Sequence, residues 1–293
     1  MTYNTAIVLL GVGLLGAAAG LVGSFAVLRR QALLGDALAH AALPGLCVGF
    51  LIAGERHVGW MMTGALASGM IGLAAISAIT RATRIKSDAA IGIVLSVFFG
   101  AGIVLSRLIQ NSTSVVGSKA GLDSYILGKT AGMTAADVIT IAITAGLCIG
   151  IVLLLFKEFM LVSFDPAFAR VQGWPVVRID RILTVLIAVV VVVGLPAVGV
   201  VMIAALLIIP GVTARFWTDR LASVAALSIA IGIGMSVIGA AISATYSKMP
   251  AGPVIALVGT VAFTFSALAA PRRGILARLM RNRGTLLSPE PPE

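Results

Sequence analysis

Uninterrupted apolar stretches recur along the chain, over roughly 6–28, 32–53, 58–80, 89–109 and 134–156, and again near 222–247 and 251–270. Each is long enough to cross the hydrocarbon of a bilayer as a helix, in which every backbone group finds its partner inside the segment. None alternates apolar and polar residues as the strands of a membrane barrel do. The pattern therefore predicts an all-α fold, a polytopic bundle of membrane helices. Residues 182–214 are harder to divide. At 1.5 Å per residue they reach about 50 Å, too long for one crossing and short for two. Leu195-Pro196 sits near the middle, where a proline readily breaks a helix. We read a hairpin of short or partly re-entrant helices here, which gives nine apolar helices and an outside N-terminus. A single long helix would give eight and place the N-terminus inside.

Composition points the same way. Hydrophobic residues make up 59% of the chain and charged residues 11%, against about a quarter charged in a soluble domain. Such a chain cannot cover its own surface in water, and lipid is the solvent that fits. The formal charge of +10 sits in short loops and a tail, as the excess of Lys and Arg on the cytoplasmic side of membrane proteins predicts. These clusters carry no interleaved aromatics or binding motif, which argues against nucleic acid as a partner. Arg29-Arg30, the Arg81–Lys86 cluster, Lys157 to Arg181, Arg215 to Arg220 and the tail arginines Arg272, Arg273, Arg278, Arg281 and Arg283 are assigned to the inside. The turn Glu55-Arg56-His57, the loop 110–133 and the turn Lys248-Met249-Pro250 then fall outside. Residues 1–271 read as one transmembrane domain and 272–293 as a basic cytoplasmic tail, disordered at its Pro- and Glu-rich end. The apolar run after Met1-Thr2-Tyr3-Asn4 has no basic residues before it, and reads as a retained span instead of a cleaved signal. Cys47 and Cys148 form no CxxC pair and read as small buried hydrophobes. Gly16 with Gly20 and Gly146 with Gly150 make small-residue faces that let helices approach closely, most simply within one subunit.

The stretch Leu34-Gly35-Asp36-Ala37-Leu38-Ala39-His40-Ala41-Ala42-Leu43-Pro44-Gly45 places a carboxylate and one of only two histidines inside an apolar span. On a helix Asp36 and His40 are i and i+4, on one face and about one turn apart. Charge at membrane depth is costly, so an intramembrane ionisable residue is a functional candidate by default. A carboxylate oxygen and an imidazole nitrogen suit Zn²⁺, Mn²⁺ or Fe²⁺. Pro44 could open the helix and expose backbone oxygens. The same spacing also fits a plain Asp36–His40⁺ pair, or Asp36 capping a helix after the Arg29-Arg30 turn. Two donors make an incomplete metal site, which two copies of the chain at a twofold axis, or a paralogue, would complete. His57, beside Glu55, reads as a solvated loop residue. Met202, Met235 and Met249 read as core, and Asp165 and Asp180 as loop structure or partner contacts. The chain has no GxxxxGK[ST] nucleotide loop and no HExxH motif. It is read as not an enzyme, and an energy-coupled role needs another chain to bind ATP.

These residues resemble the integral-membrane permeases of zinc, manganese and iron ABC importers. The Leu34–Pro44 run is similar to that family's Gly-Asp-Ala-Leu-x-His-Ala-x-Leu-Pro signature. Ser163-Phe164-Asp165-Pro166-Ala167-Phe168-Ala169 resembles its cytoplasmic Phe-Asp-Pro-x-x-Ala element. Val198 to Pro210 resembles its Val-Gly-x-x-Leu-x-x-Ala-Leu-Leu-x-x-Pro element, and Gly252-Pro253 its Pro-x-Gly-Pro turn, though Met249-Pro250-Ala251-Gly252 lacks the acidic residue often found there. The resemblance covers about 10 to 270 and implies a multi-pass permease of a bacterial cell membrane. It implies two permeases, as homodimer or heterodimer, with two cytoplasmic ATPase subunits and an extracytoplasmic metal-binding protein. Asp36 and His40 would handle the transported metal, and the chain would hold no cofactor of its own. A cytoplasmic helix over about Pro210 to Arg220, with Pro210, Gly211, Arg215, Phe216 and Trp217, would dock into the ATPase.

Two rivals use the same pair. In a proton-coupled secondary transporter Asp36 and His40 would relay protons without an ATPase. In a membrane-embedded metalloenzyme they would need a third ligand and a nearby acid or base. The pair does not choose among Mn²⁺, Zn²⁺ and Fe²⁺; the expectation leans slightly to manganese.

Overall fold

The computed structural model describes residues 3–54, 57–111, 128, 130–246, 249–271 and 274. Among them the regular elements are all helices. Five long ones come first: α1 (Tyr3–Leu28), α2 (Ala32–Ala53), α3 (Val58–Ala82), α4 (Ser87–Asn111) and α5 (Ala135–Leu154). Two short ones follow, α6 (Phe156–Phe164) and α7 (Pro166–Val171). Four more complete the chain: α8 (Val176–Val198), α9 (Val200–Trp217), α10 (Leu221–Thr245) and α11 (Ala251–Ala269). Eight of these, all but α6, α7 and α9, are long and apolar enough to cross a membrane, and α9 adds a shorter apolar run over Met202–Trp217. The predicted runs reappear with ends shifted by only a few residues. The turn at Glu55-Arg56, most of the loop 110–133, Lys248 and most of the arginine tail lie outside the described residues.

The ambiguous stretch divides differently from the expected hairpin of short helices. Its first arm, α8, starts at Val176, inside the stretch assigned to the cytoplasm, and is a full 23 residues long. The break is at Gly199 and not at Leu195-Pro196. Pro196 falls in the last turn of α8 and, having no N–H, leaves the Val192 carbonyl without its usual donor, yet the helix runs on to Val198. Gly199 takes φ 86° and ψ 165°, a conformation essentially reserved for glycine. The α8 end is tied off from outside the hairpin: Thr130, in a single 3₁₀ turn over Thr130–Gly132, donates its hydroxyl to the Ala197 carbonyl at 2.7 Å.

Two helices organise the rest. α1 packs against α5, α8, α9 and α10, and α2 against α3, α4, α8 and α9. Glycine permits these contacts, since a Cβ on Gly16 would lie 2.3 Å from the Gly232 oxygen and one on Gly23 only 1.8 Å from the Leu207 oxygen. Gly16 and Gly20 thus pack α1 on α10 within the chain, as expected, whereas none of the described residues of other elements lies within 4 Å of a Cβ at Gly146 or Gly150. Between lipid-exposed helices there is no hydrophobic driving force, so backbone-close packing of this kind supplies much of the cohesion. α2 runs unbroken through Pro44. The proline leaves the His40 carbonyl without its usual N–H donor, but it does not open the helix as anticipated.

The stretch 157–181, read only as cytoplasmic, holds structure of its own. Asp165 accepts hydrogen bonds from the backbone N–H groups of Ala167 and Phe168 and so caps α7, with Pro166 at its first position, where a proline costs no hydrogen bond. Residues 210–217 are likewise not a separate cytoplasmic helix but the last two turns of α9. Helix continuity survives Pro210 because neighbouring helices hold it: Gly211 lies so close to α1 that its Cβ would be 3.0 Å from the Ser24 Cα.

Candidate functional site

Along α2 most positions are buried, but Leu33, Asp36, His40, Pro44, Val48 and Ile52 form a stripe that this chain leaves partly or fully uncovered. The spacing of about four residues keeps the stripe on one helical face. Both polar groups of the helix lie on it. Asp36 Oδ1 is 3.5 Å from His40 Nε2, with the two side chains 33% and 14% exposed. The separation is long for a good hydrogen bond, and it leaves both atoms free to turn to a third. His40 Nδ1 is buried with no hydrogen-bond partner. On the α4 side the imidazole meets Phe99, centroids 4.9 Å apart and ring planes at 86°. Nε2, facing Asp36, is therefore the nitrogen available to a ligand.

Depth follows from the neighbours. Gly35 lies against the side chains of Ile187 in α8 and Leu207 in α9. These residues are ten or eleven positions, roughly 15 Å at the α-helical rise, from the ends of their helices that carry basic residues. A carboxylate there is tolerated where it faces a cavity or a partner chain. Among the described residues no group of three or more His, Cys, Asp or Glu side chains could hold a metal ion. The described residues thus offer two donors here, short of the four to six that first-row divalent metals take.

The remaining candidates fall elsewhere. His57 is exposed at the start of α3, its ring against Gly59 of the same turn. Met235 is buried, but Met249 is half exposed, which corrects its reading as core. Cys47 and Cys148 are buried free thiols. Pro210 and Gly211 are buried, so they present no docking surface themselves. Phe216 stacks edge-on with Phe263 of α11 at 5.7 Å, and the Trp217 indole N–H donates to Ser266 Oγ at 2.9 Å. Arg215 is only part-buried, and with Leu28, Phe164, Thr218, Asp219, Leu221 and Val224 it lines a groove of about 230 Å³.

A second surface escaped the sequence reading. At the same end of the bundle, α6 and α7 turn Phe164, Phe168 and Val171 outward, 62%, 50% and 86% exposed, with Trp174 beside them. Apolar residues at i, i+4 and i+7 among Lys157, Arg170 and Arg178 were the available signal. Their meaning depends on the Asp165 cap, which makes the stretch helical.

The chain matches the model of the ABC 3 transport family over residues 1–270. It is 44% identical over 278 residues to the manganese transport system membrane protein MntC of Bacillus subtilis (strain 168), covering 95% of this chain and 63% of that protein. The chain therefore spans somewhat under two thirds of that relative. It is 43% identical over 289 residues to the zinc transport system membrane protein TroC of Treponema pallidum (strain Nichols), covering 98% of this chain and 96% of that one. Among solved structures, PsaBC from Streptococcus pneumoniae in complex with Fab superposes with a TM-score of 0.84 at 29% identity, over 97% of this chain and 96% of the other.

Proposed function

The chain belongs to the ABC 3 transport family, and from that membership we propose that it is the membrane permease of an ATP-driven importer of a divalent transition metal, Mn²⁺ or Zn²⁺. The observation that carries the metal is the Asp36–His40 pair: one carboxylate and one imidazole inside an apolar helix, on the only face of α2 that the chain leaves uncovered among the described residues. Relatives above 40% identity are named for manganese and for zinc transport, and an oxygen–nitrogen donor pair suits either ion.

Two permeases, two copies of this chain or this chain with a paralogue, would bring a second Asp–His pair to the same path and complete the coordination. An extracytoplasmic binding protein would deliver the ion to the outer mouth. A cytoplasmic ATPase would dock on the face formed by α6–α7 and the groove at Arg215, with Phe216 and Trp217 holding the end of α9 against α11. ATP binding and hydrolysis would then shift the pair of permeases between outward-open and inward-open states. Release inside requires the Asp36–His40 site to hold the metal less tightly in the inward state, because a ligand bound equally in both states drives no shift. The setting is the bacterial cell membrane.

Uptake of Mn²⁺ and Zn²⁺ into vesicles containing the chain and its ATPase tests this. Asp36→Ala and His40→Ala are expected to abolish ATP-dependent uptake while the complex still assembles. Uptake that survives both changes would make the pair structural. Uptake that needs no ATPase and collapses with the proton gradient would overturn the importer reading.

A further inference from the structure

The ends of α1, α6 and α8 meet at a single side chain. Arg29, in the turn after α1, donates one guanidinium N–H to the Val162 carbonyl of α6 and another to the Asp180 carboxylate of α8. The arginine is 12% exposed and its partner 30%. One turn earlier Phe25, fully buried, meets Phe156 of α6 at 5.7 Å and Phe159 at 5.5 Å. The backbone on either side of Arg29 is pinned as well, with Arg30 at φ 56° and the Gln31 N–H on the Ala26 carbonyl at 2.8 Å.

The α6–α7 unit is set off from its neighbours by a joint at each end. The helix breaks at Leu155, again at Asp165, and ends at Gly173 with φ 82°. Buried Phe159 and Val162 seat α6 on the bundle, and Arg29 adds a polar tie to it. The tie leads inward. Gly23, six residues before Arg29, abuts the Leu207 carbonyl, and the Leu207 side chain lies against Gly35, next to Asp36.

We propose that Arg29 is a positioning residue that clamps α6–α7 to α1 and α8, so that a displacement of the docking face moves the helices around the metal site. The inference rests on the reading of α6–α7 as the ATPase face. Arginine suits the role because its planar fork serves two acceptors in fixed directions, whereas a lysine ammonium reaches them as a flexible point charge. Helices packed in this way are a route for coupling, and only an energetic readout tells a route from a neighbourhood.

The test measures ATP hydrolysis and Mn²⁺ or Zn²⁺ uptake on the same vesicles holding the full complex. Arg29→Gln and Asp180→Asn are expected to keep the ATPase bound and hydrolysing while metal moved per ATP falls roughly fivefold or more, the lower end of ordinary coupling energies. Arg29→Lys should fall between these and the parent chain. A merely structural tie would lower hydrolysis and uptake in proportion, and that result, like an unchanged ratio, overturns the proposal. If Arg29→Gln does not assemble, Asp180→Asn decides alone, since it is isosteric and leaves the bond to Val162. Val171→Glu separates the two readings. Normal ATPase binding by that variant sinks the docking face, while lost binding together with an unchanged ratio in Asp180→Asn sinks the clamp only.

Discussion

At the residue scale, the Asp36–His40 pair is held by what surrounds it more than by its own contact. The pair is 3.5 Å apart, and the imidazole is oriented chiefly by the Phe99 ring on its α4 side. Replacing Phe99 by Ala removes that wall and lets the ring turn away from Asp36. An aromatic contact of this kind is worth about 1 kcal/mol, so the apparent KM for metal uptake should rise by roughly fivefold with a smaller change in kcat. Phe99→Tyr should restore most of it. Equal uptake kinetics in the Ala variant would remove Phe99 from the site. The pair itself was legible in the sequence as an ionisable i, i+4 pattern in an apolar run, although a plain ion pair or a helix cap fits the same spacing. Phe99 was not, because an aromatic residue in a membrane helix looks the same whether it faces lipid or a histidine.

The elements carry their own constraints. Gly199 divides α8 from α9 in a conformation that other residues enter at a cost of order 1–3 kcal/mol. Gly199→Ala should therefore lower the thermal unfolding midpoint in detergent, and an unchanged midpoint would show that the hairpin bends elsewhere. Gly23→Ala attacks a different interface, since its new methyl would sit 1.8 Å from the Leu207 oxygen. Overpacking of this kind costs typically 1–3 kcal/mol, read in the same melting experiment, and α1 must separate from α9 to relieve it. Proline in the sequence pointed to the right segment but the wrong residue. Propensity marks where a helix can break, and the position of the break was settled by packing, with Thr130 on Ala197 and Gly128 against Val198.

For the molecule as a whole, the proposed two-donor site on an uncovered face would be completed by a second permease. The mass of the detergent-purified complex with its ATPase should accordingly include two permease chains. A complex with one permease and full uptake would remove the composite site. The sequence by itself determined the solvent, the helical class, the ends of seven of the eleven described helices to within a few residues and the pairing of Asp36 with His40, because length and hydropathy are set locally by the thickness of the bilayer. Only the tertiary structure decided which face of α2 stays open and that Gly199 makes the bend. It also decided that Pro210 and Gly211 are buried and that Arg29 joins three helix ends. Membrane helices are apolar on every side, so their sequence carries little of the one-sided pattern that tells a buried face from an exposed one.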